Sequence, residues 1–443
     1  MTLVFKEPKN VNYVAVVTRI RAINVLPNCD NVVGAPLFGY QAIVGKATQV
    51  GDLVVVFTAE TQLSDEFAKA NNLYRDASKN ANPEAKGYIE DNRRVRAIKF
   101  RGHRSDALVM SVDSLAFTGI DVSKLKEGDQ FDELAGIEIC RKYEVKKNRE
   151  GAPKAAFKVE KFKRVDNKFL PEHIATAHWF RQLDSIPDDA EIVVTQKLHG
   201  TSIRLGHIPV RRKLNWKDKV AKFFGATVRD MEYAHVYGSR RVIKDANNPD
   251  HVHFYSTDIW STEGKKYDAV IPQNFILYGE LVGWTDGGGA IQSGYTYNVP
   301  QGRADLYVYR ILVITNDGRH VELSWDAVKR FCVDNGIMHV PEFFRGRKAE
   351  LVASGRIEAL MDRRYYDDAM AGVSVFTDMP VPLSDAGTVD EGVCTRILES
   401  EATAPTIHKA KAPKFLAHET ALLDKDVVDM ESADVPEEAV EAE

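Results

Sequence analysis

No run of this 443-residue chain approaches the roughly 20 apolar residues that a membrane-spanning helix needs. The first ten residues, MTLVFKEPKN, break into charge before a signal-peptide core can form, so a cytoplasmic protein without a membrane partner is expected. Cysteine is scarce. Cys29, Cys140, Cys332 and Cys394 lie too far apart for a CxxC zinc or redox motif and are too few to staple a chain this long, which points to a reducing compartment. The familiar nucleotide signatures are missing too: there is no GxxxxGK(S/T) loop, no kinase loop set and no GxGxxG turn. Secreted, membrane-embedded and zinc-ribbon classes are excluded on these grounds.

What is present is a globular composition, 44% apolar and 28% charged, over a length that exceeds one hydrophobic core. The net charge of −5 is unevenly spread. From Asp424 onward nine acids face one lysine, which leaves +3 on the first 423 residues. The 419–443 tail therefore reads as an acidic disordered segment, either a solubilising tail or a nucleic-acid mimic over a basic groove. Residues 1–140 read as short β-strands, with a loop rich in Asn, Ala and Asp over 64–91 and an arginine-rich stretch carrying Arg93, Arg94, Arg101 and Arg104. Such strands without a strong helix suggest a small OB-like barrel, with those arginines on a nucleic-acid backbone. Residues 141–165 form a basic linker, in which Phe157 and Phe162 are spaced among lysines. Residues 166–418 have a mixed pattern, so the fold class is α+β. The strands run through EIVVTQK, FILYGELVG and ADLYVYRILVI, and a helix spans Ser324 to Asn335 with Gly336 ending it. Residues 347–363 are a second helix candidate, and HVH at 251–253 reads as a polar strand because it lacks a third ligand.

KLHG at 197–200 places a lysine in a strand-turn-strand context, before a glycine that lets the backbone approach a ligand. Alone it is a common tetrapeptide. Its weight comes from five further elements in a fixed order: GSR at 238–240, LYGELVG at 277–283, LYVYRI at 306–311, DEGVCTRI at 390–397 and HKAKAPKF at 408–415. Together these resemble the covalent nucleotidyltransferase superfamily of ATP-dependent ligases and capping enzymes, whose KxxG lysine is the nucleophile. DNA ligases and capping enzymes usually carry Asp at the position of His199. KLHGT and KAKAPKF instead resemble the RNA ligases, and VGDLVVVF with IKFRGHRSDALVM resembles the N-terminal OB-type module of the Deinococcus-type nick-sealing RNA ligases.

That resemblance implies an N-terminal OB-like module followed by an ATP-grasp-like nucleotidyltransferase domain of antiparallel sheets and helices. It implies a monomer that uses ATP with Mg²⁺ or Mn²⁺ on a nicked RNA or RNA/DNA duplex. Lys197 would be adenylylated, with Lys409 and Lys411 on the AMP phosphate. Thr195, Gln196, His199 and Gly200 would line the nucleotide. Arg240 would contact ribose or phosphate, Glu280 the ribose or metal-bound water, Glu391 metal-bound water, and Tyr309 the adenine face. The chemistry fits these residue types: a solvated lysine is about 3–4 units too basic to attack phosphorus at neutral pH, and cationic neighbours with partial burial lower that barrier. Arg310 departs from the acid that often follows the stacking aromatic. The alternatives are a DNA ligase, a capping guanylyltransferase, or a nucleic-acid-binding protein whose transferase site has decayed.

Overall fold

The computed structural model describes residues 5–145, 164–244, 258–315, 318–355, 390–398 and 405–425. The HVH segment, most of the basic linker and the acidic tail beyond 425 lie outside the described residues. The class is mixed α/β, and the sheets of the larger part are mainly antiparallel, with Ala177–His178 parallel to Ile407–Lys411 and Met338–His339 parallel to Ala304–Ile314.

In the first 142 residues the strand Leu53–Thr58 is central. It pairs antiparallel with Ala15–Arg19 on one side and Ala107–Ser111 on the other. Its near-continuous apolar run is required because both faces are covered. Val55 and Phe57 pack with Phe67, Tyr74 and Phe131, while Val54 and Val56 pack under the hairpin Val32–Leu37/Tyr40–Gly45. The barrel expected from the sequence is not closed: among the described residues these strands form an open four-stranded sheet and separate two-stranded ribbons. The break comes at Glu60, whose φ of 67° turns the chain so that Thr61–Leu63 leaves the sheet and pairs with Cys140–Lys142. The 64–91 stretch is no loose loop. It begins with the helix Asp65–Ala70, capped by Ser64, and the buried Asn80 side chain bonds the backbone of Tyr74 and Ala85.

Two sheets build the larger part. The first has five strands in the order Ala177–His178, Ile407–Lys411, Gly392–Ile397, Glu191–Lys197 and Glu342–Arg347. The second has seven and centres on Thr201–Arg211, Phe275–Gly283 and Ala304–Ile314, the strands the sequence pattern marks. One of its faces carries Leu205, Leu277 and Ile311 against Trp260, Trp325 and Val328; the other carries Ile276, Tyr278 and Leu312 against Leu170. The helix Trp325–Asp334 is capped by Ser324 as expected, because its hydroxyl accepts from the Ala327 N–H. No helix among the described residues is long and apolar enough to cross a membrane.

Alternation in Glu191–Lys197 decides where its side chains go. Ile192 and Val194 enter one core, which they share with Trp179 and Leu416 and with Tyr40, Ala59 and Ala97 of the amino-terminal part. Val193 enters the core of the seven-stranded sheet, so Thr195 and Lys197 face that sheet as well. The two parts are thus joined by shared packing, and the joint is also ionic. The first residues assigned to the disordered tail belong instead to the helix Pro413–Leu423. Buried Thr420 donates to Glu60 (2.7 Å), and Asp424 pairs with both Arg94 and Arg96. Burial pushes the Glu60 carboxyl up to about 7, against the opposing pull of Arg94 and Thr420. The folded chain holds that proton more tightly than the unfolded one, so this group's contribution to stability is lost as pH rises from 4.5 through about 7. Glu60→Gln should flatten the stability profile between pH 5 and 8 in denaturant titrations; an unchanged slope would remove Glu60 as its source.

Candidate active site

Lys197 is the last residue of its strand, and the chain must then reverse within KLHG to enter Thr201–Arg211. Gly200 makes this possible: a Cβ there would stand 2.1 Å from the Leu281 carbonyl oxygen. The turn is locked from both sides. The Gly200 N–H donates to Glu280 (3.1 Å), Ser202 Oγ donates to the other oxygen of Glu280 (3.2 Å), and the His199 N–H donates to the Tyr297 hydroxyl (2.7 Å). The His199 ring sits edge-on against Tyr295 and Phe415.

Glu391 reaches the same place from the neighbouring strand. Its carboxylate pairs with Lys197 Nζ at 2.7 Å, and His199 Nδ1 lies 3.8 Å away. The next residue, Gly392, has φ of 143°, and a Cβ there would overlap the Ala410 carbonyl, which explains the EG pair physically. Asp390 accepts a hydrogen bond from the Gln196 side chain (2.8 Å), on the strand face opposite to Lys197. Thr195 donates its hydroxyl to the Cys394 carbonyl (3.3 Å).

The remaining cations converge here. Lys409 pairs in register with Cys394, and Ala410 next to it points into the opposite core, so Lys409 shares a face with Lys197. Burial, then the charges of Lys197, Lys411 and Arg240, push the Lys409 ammonium down to about 7. Among the described residues Lys409 makes no ion pair. Lys411 differs, because Glu419 on the final helix grips its amine at 2.7 and 2.9 Å and holds it well above the usual lysine range. Arg240 follows a bend fixed by Arg204, which is buried in its strand and donates to the Ser239 and Leu170 carbonyls.

Tyr309 sits at an irregularity in its strand. The pairing with Phe275–Gly283 steps from Arg310 to Val308 between Tyr278 and Gly279, leaving Tyr309 in a bulge, a device that re-aims a side chain. Its hydroxyl is 2.7 Å from His173 Nδ1. Arg310, which stands where an acid is expected, is buried beside Tyr278 and pairs with Glu322 (2.9 Å), which Arg396 also approaches. It serves the sheet.

The arginines of the amino-terminal part are not gathered with this cluster. Arg94 is enclosed between Glu60, Asp424 and the Tyr143 ring. Arg93 donates to the Leu63 carbonyl and Arg104 pairs with Asp106. Arg101, at the tip of a two-residue hairpin turn, is exposed and has no carboxylate partner among the described residues. The sequence reading missed Arg204, Tyr297, Asp390, His173 and Glu419. A charged residue inside the apolar run TSIRL was the available signal for Arg204, and adjacency to Glu391 was the signal for Asp390. His173 and Tyr297 come from loops distant in sequence, and Glu419 from the helix that follows the KAK strand, eight residues after Lys411.

A family model described as RNA ligase matches residues 190–411. No curated protein matches the chain. Among solved structures, a Naegleria gruberi RNA ligase with PPi has a TM-score of 0.57 at 15% identity, over 93% of this chain and 100% of the other. A lysine-to-alanine mutant of that ligase with ATP and Mn gives 0.54 at 14%, over 93% and 99%. A lysine-to-methionine mutant with AMP and Mn gives 0.54 at 14%, over 91% and 98%. At such identity the likeness is one of fold, and it spans nearly the whole of both chains. The family match takes in half the chain, from the strand that ends at Lys197 to the one that ends at Lys411, and on that basis the protein belongs to the RNA ligase family.

Proposed function

We propose that the protein is an ATP-dependent ligase that joins RNA 3′-OH and 5′-phosphate ends, at nicks in RNA or RNA/DNA duplexes, through a lysyl-AMP on Lys197. The observation that carries this reading is the placement of Lys197 on one strand face with Lys409, paired with the buried Glu391 and beside the turn that the buried Glu280 holds. A half-buried lysine with no ion pair among the described residues suits a phosphate. The neighbours' ATP, AMP and Mn support ATP with Mg²⁺ or Mn²⁺. Among the described residues no three His, Cys, Asp or Glu side chains are grouped to hold a metal by themselves, which fits an ion carried largely by phosphate and water near Glu391 and Glu280. Such an ion supplies charge neutralisation of the phosphoryl oxygens.

The chain's own groups do the rest. The Lys197 ammonium must leave Glu391 and lose its proton; its Nζ then attacks the α-phosphorus, a P–N bond forms and the bond to pyrophosphate breaks. Lys409 and Arg240 stabilise the charge gathering on the equatorial oxygens. Lys411, anchored by Glu419, supports Lys409 from two residues along the strand, while Thr195 shapes the base side and Tyr309 stacks on adenine; the Gln196 side chain, expected on the nucleotide, instead braces Asp390 from the opposite strand face. An RNA 5′-phosphate oxygen next displaces Lys197 from phosphorus, and the 3′-OH then displaces AMP. Residues 1–140 act as the RNA-holding module in the arrangement of the Deinococcus-type enzymes, exposing Lys99 and Arg101, and residues 166–418 act as the adenylyltransferase.

Lys197→Ala and Lys197→Arg should both abolish the adduct formed with α-labelled ATP while leaving the circular dichroism spectrum unchanged, because arginine keeps the charge but stays protonated. An adduct at wild-type level in either variant would contradict the assignment. At pH 8 the Lys409 amine is mostly neutral, and a bound phosphate favours its charged form. ATP binding should therefore take up close to one proton, measured calorimetrically in buffers of different ionisation enthalpy. Lys409→Met should lose that uptake; equal uptake in the variant would assign the proton elsewhere. With pre-adenylylated 5′ ends, a nick ending in a 3′-terminal ribose should seal at least about 100-fold faster than an all-DNA nick, since the 2′-OH aligns the attacking oxygen. Equal rates would favour a DNA ligase.

A further inference from the structure

The strand Thr201–Arg211 begins beside Gly200 and runs for 11 residues, so its far end lies about 33 Å from the turn that holds Lys197. There the chain leaves the sheet for the helix Trp216–Phe223 before returning as Met231–Gly238. This helix buries no residue at all. It is shaped by a capping box between Asn215 and Asp218 and by the Arg212–Asp218 pair (2.9 Å), but eight residues with such caps and no packed face form a marginal helix. What it shows to solvent is apolar: Trp216 is 70% exposed, Phe223 84%, Phe224 79% and Val220 46%.

Charge surrounds that stripe. Residues 211–230 contain seven Lys or Arg against two Asp. At 3.6 residues per turn, Lys217 and Lys219 fall on either side of the stripe formed by Trp216, Val220 and Phe223. Lys213, Lys217 and Lys219 are exposed and make no ion pair among the described residues. Aromatic faces in the middle with cations along both flanks complement a strand of unpaired bases running between its own phosphates. A paired A-form helix offers no base face to stack on, so the occupant is single-stranded. An apolar protein partner would leave the flanking lysines unmatched.

We propose that this projecting helix is a stacking platform for a single-stranded RNA segment flanking the junction, about 30 Å from the nucleophile. The proposal rests on RNA being the substrate. The platform selects ends that carry an unpaired extension without touching the chemistry.

The test uses the full-length protein and two variants altered only at exposed positions, Trp216→Ala/Phe223→Ala/Phe224→Ala and Lys213→Glu/Lys217→Glu/Lys219→Glu. Anisotropy without ATP, on a fluorescein-labelled single-stranded RNA of 20 nucleotides, should show at least a tenfold loss for the aromatic variant. The charge variant should lose affinity, and its slope of log K against log salt should flatten by about 2. Both should form lysyl-AMP and seal a flush-ended nicked duplex like wild type, while sealing nicks with a 12-nucleotide single-stranded extension more slowly. Unchanged RNA binding in the aromatic variant would overturn the proposal. So would wild-type adsorption to phosphatidylserine vesicles, or dimerisation in light scattering, that the variants abolish while RNA binding stays intact. Because RNA binding is read without ATP, a wild-type protein that bound RNA through this helix yet never formed lysyl-AMP would refute the ligase reading and support the platform.

Discussion

Like charges do not gather half-buried on one sheet face unless something holds them, and the architecture of this protein follows from that constraint. The charges of Lys197, Lys411 and Arg240 all act on Lys409. Each is positioned by backbone that cannot easily move. The two glycines at 200 and 392 accept carbonyl oxygens where any Cβ would clash, Arg204 braces the bend before Arg240, and Glu419 fixes Lys411. Compensation is partial: Glu391 answers Lys197 and Glu419 answers Lys411, which leaves Lys409 depressed toward neutrality. A site with that residual positive field is poised for an anion, and a phosphoryl group removes the repulsion when it binds.

Glu419 extends the constraint beyond the two sheets. It lies on the last described helix, whose Thr420 and the following Asp424 are bound by Glu60, Arg94 and Arg96 of the amino-terminal part. The lysine grip and the joint between the two parts are therefore neighbours on one helix. A truncation that removes the first 140 residues strips Tyr40, Ala59 and Ala97 from the core containing Trp179 and Leu416, and it unpairs Asp424. The amino-terminal part is built into the support of the site.

Much of this was legible in the chain. The strands 191–197, 275–283 and 304–314 follow from apolar runs bounded by turn residues, and the helix after Ser324 follows from its cap and its glycine stop. The order of KLHG, GELVG, DEG and KAK, with the resemblance it carries, pointed to the lysines and carboxylates that the sheets bring together. What was not legible depends on tertiary register. The bulge that isolates Tyr309 arises from the pairing of two strands, and no local pattern marks it. Arg94 reads as a surface cation until Glu60 and Asp424, 34 and 330 residues away in sequence, enclose it. The barrel reading failed because period-two alternation gives strands but not their closure, and a single left-handed residue at Glu60 redirected one of them.

The central claim is that Lys197 is the residue on which AMP is carried. The most direct measurement is peptide mapping by mass spectrometry of the full-length protein after incubation with ATP and Mn²⁺ and alkaline quenching. The account predicts an adenylyl mass on the peptide containing Gln196-Lys197-Leu198, stable to alkali and lost in mild acid as a P–N bond requires. An adenylyl group on Lys409, or on a hydroxyl or carboxylate with the opposite lability, would contradict it.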